Sequence, residues 1–230
     1  MTDEKEIYNI GEMPPLGYVP NKMHAWVIRK DRHGNPMQSF KEEEFPVPEI
    51  GPNEVLIFVM AAGVNYNGVW AGLGVPVSVL DMTKKDYHIA GSDASGIVWK
   101  VGSDVKKWKV GDRVVSETAA IIDNESPLTK AGLYNLDPTR KGFGYGVDGA
   151  MTKYVRTPAR CLHHIPENLS FEEACLTEPC CVAYNAVVVN SKIKPGDKVL
   201  VIGPGTIGIL CAVIAKICGA DVSFGENVGA

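Results

Sequence analysis

The sequence predicts an α/β protein with an all-β part, in which short strands come first and a strand–turn–helix unit follows. Two observations predict this class. Between residues 23 and 116, short apolar runs are separated by Gly, Pro and Asp turns, a pattern that is typical of an all-β unit. From residue 198, a β-branched apolar run leads through a glycine turn into an apolar stretch of helical length.

The composition is that of an ordinary globular protein. The chain has 230 residues, 45% of them hydrophobic and 22% charged, and a formal net charge of −4. Because the chain is not basic, we expect neither nucleic acid nor an anionic membrane as a partner. Its apolar runs are too short to span a bilayer, and its charged N-terminus carries no apolar signal segment. The six cysteines lack paired C-x-x-C spacing, which predicts buried, reduced thiols in a cytoplasmic protein.

The elements of the all-β part follow from apolar runs and turn residues. Residues 1–22 are polar and carry three prolines, which predicts an extended N-terminal arm. Two prolines make residues 42–50 an edge strand or an irregular segment. Residues 63–73 are expected to form a loop or a short helix, and residues 117–150 are loop-rich. The remaining strands are predicted at residues 23–29, 54–61, 96–101, 110–115, 151–156 and 161–165.

The second part opens on a predicted helix. Ser170 and Glu173 have the spacing of a capping box, which predicts a helix from residue 171 to about residue 189. Residues 198–202 then form a buried strand, and residues 221–224 form a second, parallel strand. Two parallel strands leave apolar faces uncovered, so we expect either that the sequence is a fragment or that another chain completes the sheet.

The turn after the first of these strands fits G-x-G-x-x-G. Gly203 permits the tight turn, Gly205 lets a pyrophosphate approach the backbone, and Gly208 lets the helix pack on the strand. Thr206 and Ile207 lie within the motif and complete the predicted site. The helix that follows begins with free N–H groups and the positive end of its dipole, which suit an anion. This strand–turn–helix context predicts a dinucleotide cofactor.

Two stretches of the all-β part carry a family resemblance. Residues 62–72 read Ala-Gly-Val-Asn-Tyr-Asn-Gly-Val-Trp-Ala-Gly, and residues 88–96 read His-Ile-Ala-Gly-Ser-Asp-Ala-Ser-Gly. Together with residues 11–17, they resemble the crotonyl-CoA carboxylase/reductases and their enoyl-thioester reductase relatives. This likeness covers residues 7–116.

The later part of the chain resembles a second branch of the same superfamily. Residues 177–183 and 194–201 look like the zinc-type polyol and threonine dehydrogenases, a likeness that covers residues 117–224. Both branches belong to the medium-chain dehydrogenase/reductase superfamily. The resemblance implies a GroES-like β-barrel catalytic domain at residues 23–168 and the start of a Rossmann dinucleotide-binding domain at residues 169–230.

The resemblance also indicates that the ligands of zinc are lost. The zinc branch places four cysteines of a structural zinc site where this chain has Asp123, Ser126, Thr129 and Asp137. Thiolates, alone or with histidine, are the ligands of structural zinc, so we expect this lobe to fold without the metal.

The positions of the catalytic zinc show the same loss. Where the zinc branch has a cysteine ligand, this chain has Asn65, and where that branch has a His-Glu pair, it has Ser92 and Asp93. Of the residues at the catalytic zinc, only Glu178 remains. One carboxylate does not hold a catalytic zinc, which needs about three protein ligands. We therefore expect no zinc at either site.

The resemblance implies reduction of an enoyl-CoA-type thioester by hydride transfer without a metal. Hydrogen-bond donors would hold the thioester oxygen as the enolate forms, and Asn65, Tyr66 and Asn67 are the candidate catalytic residues. In the carboxylating relatives a Phe-Glu pair takes part, and this chain has Phe143 and Gly144 at the matching place. Reductive carboxylation is therefore not expected.

The identity of the cofactor and two other functions stay open. Glu226 follows the second parallel strand about 20 residues after the glycines, where an acid favours NAD over NADP. The enoyl-thioester reductases generally use NADP. The alternatives are an alcohol or polyol dehydrogenase, and a truncated or engineered chain without turnover that serves as a scaffold or a weak nucleotide binder. We expect a small-molecule substrate, for which the resemblance makes an acyl-CoA the candidate. Superfamily members often form homo-oligomers, so a homo-oligomer is a further expectation.

Overall fold

The strands of the computed structural model, which describes residues 4–225, form three hydrogen-bonded sheets. In chain order the strands are β1 (Lys22–Ile28), β2 (Phe40–Pro46), β3 (Glu54–Gly63), β4 (His88–Ile89), β5 (Asp93–Val101), β6 (Arg113–Ser116), β7 (Tyr154–Pro158), β8 (Leu162–His164), β9 (Lys198–Ile202) and β10 (Asp221–Gly225). One sheet has the order β7-β3-β5-β6-β8, another β2-β1-β4, and the third pairs β9 with β10.

The helices are short except for the one that follows the glycine turn. They are α1 (Pro36–Ser39), α2 (Tyr66–Leu73), α3 (Val79–Thr83), α4 (Pro127–Lys130), α5 (Phe171–Ala174), α6 (Thr177–Tyr184) and α7 (Thr206–Ile217). No helix within residues 4–225 is long and apolar enough to cross a membrane.

Strand β3 lies at the centre of the first part of the chain, because both of its faces are buried. Val55 and Ile57 face a core that includes Val98, Trp108 and Leu162 of the five-stranded sheet and its loops. The alternate residues of β3 face another core, formed by Leu56, Phe58, Met23, Val27, Trp99 and Tyr154. Successive side chains of a strand point to opposite faces, so a strand between two cores needs a continuous apolar run. This explains the predicted buried strand at residues 54–61.

The mixed fold predicted from the sequence is confirmed. Short antiparallel strands build the first part, and the proline-bearing segment at residues 42–50 begins as β2, an edge strand of its sheet. The segment at residues 63–73, predicted as a loop or a short helix, contains α2. In the second part β9 and β10 are parallel, as the strand–turn–helix pattern indicates. The expectation that residues 198–202 are buried was wrong, because Leu200 is 63% and Ile202 68% exposed and, among the described strands, β9 pairs with β10 alone.

The helix predicted from residue 171 to about residue 189 is interrupted, and this expectation was wrong. The capping box of Ser170 and Glu173 is present, but α5 ends at Ala174 and α6 begins at Thr177. Pro179 explains the break, because its ring clashes with the carbonyl group four residues earlier and it has no N–H to donate. After α6 the chain continues as a π-helical turn, Asn185–Asn190.

The chain divides into two units, one ending at Cys175 and the other beginning at Leu176. In the first unit α5 packs against β3 and β5. The second unit holds α6, β9, α7 and β10, whose core includes Val187, Ala215 and Ala220. The domain limits proposed from the sequence, 1–22, 23–168 and 169–230, stay a prediction.

The cysteines are less uniformly buried than expected. Cys161 and Cys175 are buried, but Cys180, Cys211 and Cys218 are half-buried and Cys181 is exposed. Burial raises the pKa of the Cys161 thiol to about 11, so this thiol is protonated at neutral pH. The expectation of buried thiols therefore holds for two of the six.

A charge cluster holds the hairpin of β1 and β2. Glu43 accepts hydrogen bonds from Arg29 Nη2 at 2.6 Å and from Arg32 Nη2 at 2.7 Å. The bond from Arg29 is the main cause, and Arg32 a further one, of a pKa near 2 for the Glu43 carboxyl, below its ordinary value of 4.5. The depressed pKa means that the folded state favours the ionised carboxylate.

We predict that Glu43→Gln lowers the melting temperature by about 2–4 °C at pH 7, because it removes the ion pairs of Glu43 with Arg29 and Arg32. The stabilisation by Glu43 is fully present above pH 4.5 and is lost as the pH falls towards about 2. Circular dichroism melts between pH 7 and pH 2.5 should therefore show the two proteins converging. Glu44→Gln, on the same strand but exposed, is the control, and a constant difference at all pH values would contradict the assignment.

Candidate functional site

The start of α2 is organised by Asn65. The Asn65 side chain caps the helix, because its Oδ1 accepts a hydrogen bond from the backbone N–H of Asn67 at 2.8 Å. The other end of the same amide is also engaged. Its Nδ2 donates to Ser92 Oγ at 2.8 Å and to Asp93 Oδ2 at 2.6 Å. Both ends of the Asn65 amide are therefore used within the protein.

Asn65, Ser92 and Asp93 form a closed set of hydrogen bonds, called here the polar triangle. Its third side is the bond from Ser92 Oγ to Asp93 Oδ2, at 3.0 Å. Asp93 is only 1% exposed. Gly63 lies against it, and a Cβ at that position would come within 3.0 Å of the Asp93 Cβ. The carboxylate is thus confined in a tight, buried place and is held by an amide and a hydroxyl.

The other two residues predicted as catalytic are placed differently. Tyr66 is 65% exposed, and its ring meets the Trp70 ring edge-on with the centroids 5.4 Å apart. Asn67 is exposed in the first turn of α2. The structure therefore joins Asn65 to Ser92 and Asp93, and leaves Tyr66 and Asn67 accessible beside them.

An apolar cleft of about 540 Å³ lies beside Asn65. Its walls come from β1, α1, β2, β3, α2 and the segment before β7. They include Trp26, Met37, Met60, Val64, Gly68 and Met151. The sequence analysis did not predict this cleft. Its lining residues come from segments that are far apart in the sequence, and none of these segments alone shows a binding motif. The cleft gives the Asn65 site an apolar neighbour that suits a hydrocarbon group.

The glycine turn of the second unit has the features that a dinucleotide requires. Gly203 has a φ of +92°, which favours glycine. A Cβ at Gly208 would come within 2.0 Å of the Gly203 carbonyl oxygen. The turn and the helix can therefore pack this closely only because residue 208 is a glycine. A Cβ at Gly205 would meet nothing within 4 Å, and this leaves open space over the backbone.

The helix after the turn offers free donors. Gly205 is the N-cap of α7 and provides no side-chain hydrogen bond to it. The N–H groups of Thr206, Ile207 and Gly208 in the first turn therefore remain for an anion. Glu226, the acid proposed to contact the ribose, lies outside the described residues.

The lobe that matches the structural zinc site is held by hydrogen bonds. Asp137 is 4% exposed and accepts from the Thr139 hydroxyl at 2.6 Å. A hydrogen bond from Ser126 is the main cause, with Thr139 next, of a lowered pKa for the Asp137 carboxyl. Thr129 Oγ1 is buried and has no hydrogen-bond partner among the described residues. Asp123 binds the backbone N–H of Glu125 at 2.9 Å.

Clustered metal ligands are not found within residues 4–225, where no group of three or more His, Cys, Asp or Glu could hold an ion. Glu178, the remaining residue of the catalytic zinc set, lies in the first turn of α6 in the second unit. The polar triangle offers an amide, a hydroxyl and one carboxylate. This donor set does not fit zinc, which is bound by thiolate, imidazole and carboxylate.

Gly144 is the residue that the resemblance matches to a glutamate of the carboxylating relatives. Its φ is +71°, and a Cβ would come within 2.8 Å of the Gly91 backbone. His88, which is fully buried, donates from Nε2 to the Gly144 carbonyl at 2.7 Å. A side chain at residue 144 therefore requires the backbone at Gly91 to move.

The family follows from comparison with known proteins. A family model described as the alcohol dehydrogenase GroES-like domain matches residues 51–167. The chain belongs to the medium-chain dehydrogenase/reductase superfamily. In this chain the GroES-like domain is followed by the unit that contains the glycine turn.

Relatives of both branches of the superfamily match the chain. The crotonyl-CoA carboxylase/reductase of Cereibacter sphaeroides is 47% identical over 223 residues, which is 95% of this chain and 52% of the relative. The D-xylulose reductase of Saccharomyces cerevisiae is 38% identical over 181 residues, covering 77% of this chain and 50% of the relative. The likeness to the carboxylase/reductase thus extends well beyond residue 116.

A solved structure agrees with this placement. The crotonyl-CoA carboxylase/reductase AntE in complex with NADP superposes with a TM-score of 0.86 and 34% sequence identity, covering 95% of this chain and 56% of that one. The chain spans about half the length of the curated relatives that it matches.

The hydrogen bonds of the lobe around Asp137 can be tested with two substitutions that should change the melting temperature in opposite directions. Thr129→Val removes a buried hydroxyl that has no hydrogen-bond partner within residues 4–225, so it should raise the melting temperature by about 2–4 °C. Asp137→Ala should lower the melting temperature and speed hydrogen exchange at residues 121–141, because it releases Ser126 and Thr139. If Thr129→Val destabilises the lobe instead, its hydroxyl has a role that the hydrogen bonds of the lobe do not account for.

Proposed function

We propose that this chain carries the catalytic unit of a zinc-independent, NADP-dependent reductase that acts on an enoyl-CoA-type thioester. The observation that carries the proposal is the polar triangle. In place of the thiolate and imidazole of the zinc branch, Asn65, Ser92 and Asp93 bind one another directly. These three side chains bind one another and form a poor site for zinc.

The substrate class is supported by similarity and by the apolar cleft. The relative that is 47% identical is named for crotonyl-CoA, an enoyl thioester. The cleft of about 540 Å³ beside Asn65 offers an apolar wall of the kind that accepts an acyl chain. A polyol is covered with hydroxyl groups, and it would leave them unpaired against such a wall.

The cofactor is proposed to be NADP, the ligand of the solved relative AntE. Gly203, Gly205 and Gly208 would let the pyrophosphate reach the backbone, and the N–H groups of Thr206 and Ile207 would bind it. When bound, the reduced nicotinamide supplies the hydride for the β-carbon of the enoyl group.

The chain's own residues would stabilise the charge that develops on the substrate. As the thioester becomes an enolate, negative charge builds up on the thioester oxygen, and donors placed before the reaction lower the barrier. The Tyr66 hydroxyl and the Asn67 amide are exposed beside the triangle and are proposed as those donors. Asn65, whose amide is already engaged, is proposed to hold the start of α2 that carries them.

Reduction without carboxylation is the proposed outcome. Residue 144 lies against Gly91, and a Cβ there would come within 2.8 Å of that backbone. The chain therefore has no room for the glutamate that the carboxylating relatives carry at this place. Protonation of the enolate would complete the reaction in place of attack on carbon dioxide.

We expect the intact protein that contains this chain to enhance NADPH fluorescence on binding and to oxidise NADPH when crotonyl-CoA is added. Gly208→Val should abolish the fluorescence change, because its side chain would clash with the Gly203 carbonyl. Ile217→Ala, at an exposed position of the same helix, should bind as the wild type does. A folded wild-type protein that oxidises no NADPH with crotonyl-CoA would refute the proposal.

Metal analysis separates the proposed reductase from a zinc-type polyol dehydrogenase. We expect less than about 0.1 zinc per chain after purification without chelator, and unchanged reductase activity after dialysis against a chelator. Stoichiometric zinc, or xylitol oxidation that is lost with the metal, would favour the polyol dehydrogenase.

A further inference from the structure

We propose that Asp93 is a positioning residue, which acts on the reaction through Asn65. Its carboxylate sets the orientation of the Asn65 amide and thereby the start of α2. The inference rests on the proposed function, because the effect is read in the reduction of an enoyl thioester. No step of that reaction as proposed above uses Asp93 directly.

The argument begins with the chemistry of the three groups around Asn65. A side-chain amide has an acceptor end and a donor end, and the two ends can exchange by rotation. The backbone N–H of Asn67 can only donate, and Asp93 Oδ2 is an acceptor, which also receives the Ser92 hydroxyl. Asn65 lies between the two, with Oδ1 towards Asn67 and Nδ2 towards Asp93. Only one of its two orientations satisfies both neighbours.

Ser92 completes the arrangement. The two N–H bonds of Asn65 Nδ2 are used, one to Ser92 Oγ at 2.8 Å and one to Asp93 Oδ2 at 2.6 Å. The Ser92 hydroxyl donates a hydrogen bond to the same carboxyl oxygen, at 3.0 Å. Asp93 Oδ2 is therefore the common acceptor on which the triangle depends, and hydrogen bonds to a charged acceptor are the stronger kind.

The carboxylate is itself held by the sheet. Asp93 is the first residue of β5 and pairs with Gly63, the last residue of β3. A Cβ at Gly63 would approach Asp93 to 3.0 Å, so the fit leaves little freedom. From Gly63 the chain passes through Val64 to Asn65. The triangle thus ties the beginning of α2 back to the strand pair from which it departs.

The consequence concerns the two residues that are proposed above as hydrogen-bond donors to the substrate. Tyr66 and Asn67 occupy the first turn of α2, and the cap at Asn67 exists only while Asn65 Oδ1 points towards it. Without an acceptor-only partner at residue 93, the amide can rotate and the cap is lost for part of the time. Asp93 would then be required for the placement of Tyr66 and Asn67, although it does not touch the substrate.

A double-mutant cycle tests this role in the intact protein with NADPH and crotonyl-CoA. Asp93→Asn keeps the volume and replaces one carboxyl oxygen with an amide donor, and it should lower kcat/KM about tenfold. In the Asn65→Ala background the same change should cost less than about twofold, because the group through which Asp93 acts is absent. Asp112→Asn is the matched control, since that carboxylate accepts a backbone N–H in a turn of the same unit, from Lys109 at 2.9 Å.

Two outcomes would overturn the inference. One is an equal loss of kcat/KM from Asp93→Asn in both backgrounds, which would make its effect independent of Asn65. The other is a loss no larger than that of Asp112→Asn. If the wild type is inactive with crotonyl-CoA, the proposed function fails instead.

A second measurement observes the Asn65 side chain directly and needs no catalytic activity. In ¹⁵N spectra the Asn65 side-chain amide should give one slowly exchanging pair of signals in the wild type and in Asp112→Asn. In Asp93→Asn, or in the milder Ser92→Ala, these signals should shift and exchange faster with water. An Asn65 amide that is unchanged in both variants would contradict the inference.

Discussion

The pairing of β3 with β5 is the constraint on which the rest of the first unit depends. Both faces of β3 are buried, so this strand separates two cores and belongs to each. The two backbones approach closely at Gly96, where a Cβ would come within 2.2 Å of the Phe58 carbonyl oxygen. The pairing ends at Gly63 and Asp93, from which the chain continues to Asn65. The candidate site is therefore built at the end of this pair of strands.

Hydrogen bonds organise both places where the resemblance to the zinc branch leads one to look for metal ligands. At one place Asp93 receives the Asn65 amide and the Ser92 hydroxyl, and at the other Asp137 receives hydrogen bonds from Ser126 and Thr139. Each place has a buried carboxylate as the common acceptor. A carboxylate can collect several donors, which lets a single side chain join segments that are distant in sequence.

Local features of the fold could be predicted from the sequence, and non-local ones could not. The capping box at Ser170 and the glycine turn depend on neighbours within a few residues, and both are present. The break between α5 and α6 also has a local cause, Pro179, but the apolar pattern of the surrounding residues predicts one continuous helix. The engagement of the Asn65 amide and the apolar cleft depend on contacts between separate strands, which no single segment reveals.

The sequence by itself determined the class of the protein: a barrel-like β part, a glycine turn between a strand and a helix, and a superfamily resemblance that the comparisons confirm. The tertiary structure decided which of the three candidate catalytic residues face outward. Asn65 is engaged on both sides, whereas Tyr66 and Asn67 remain accessible. The physical reason is that a hydrogen-bond partner 28 residues away becomes a neighbour only when β3 and β5 pair.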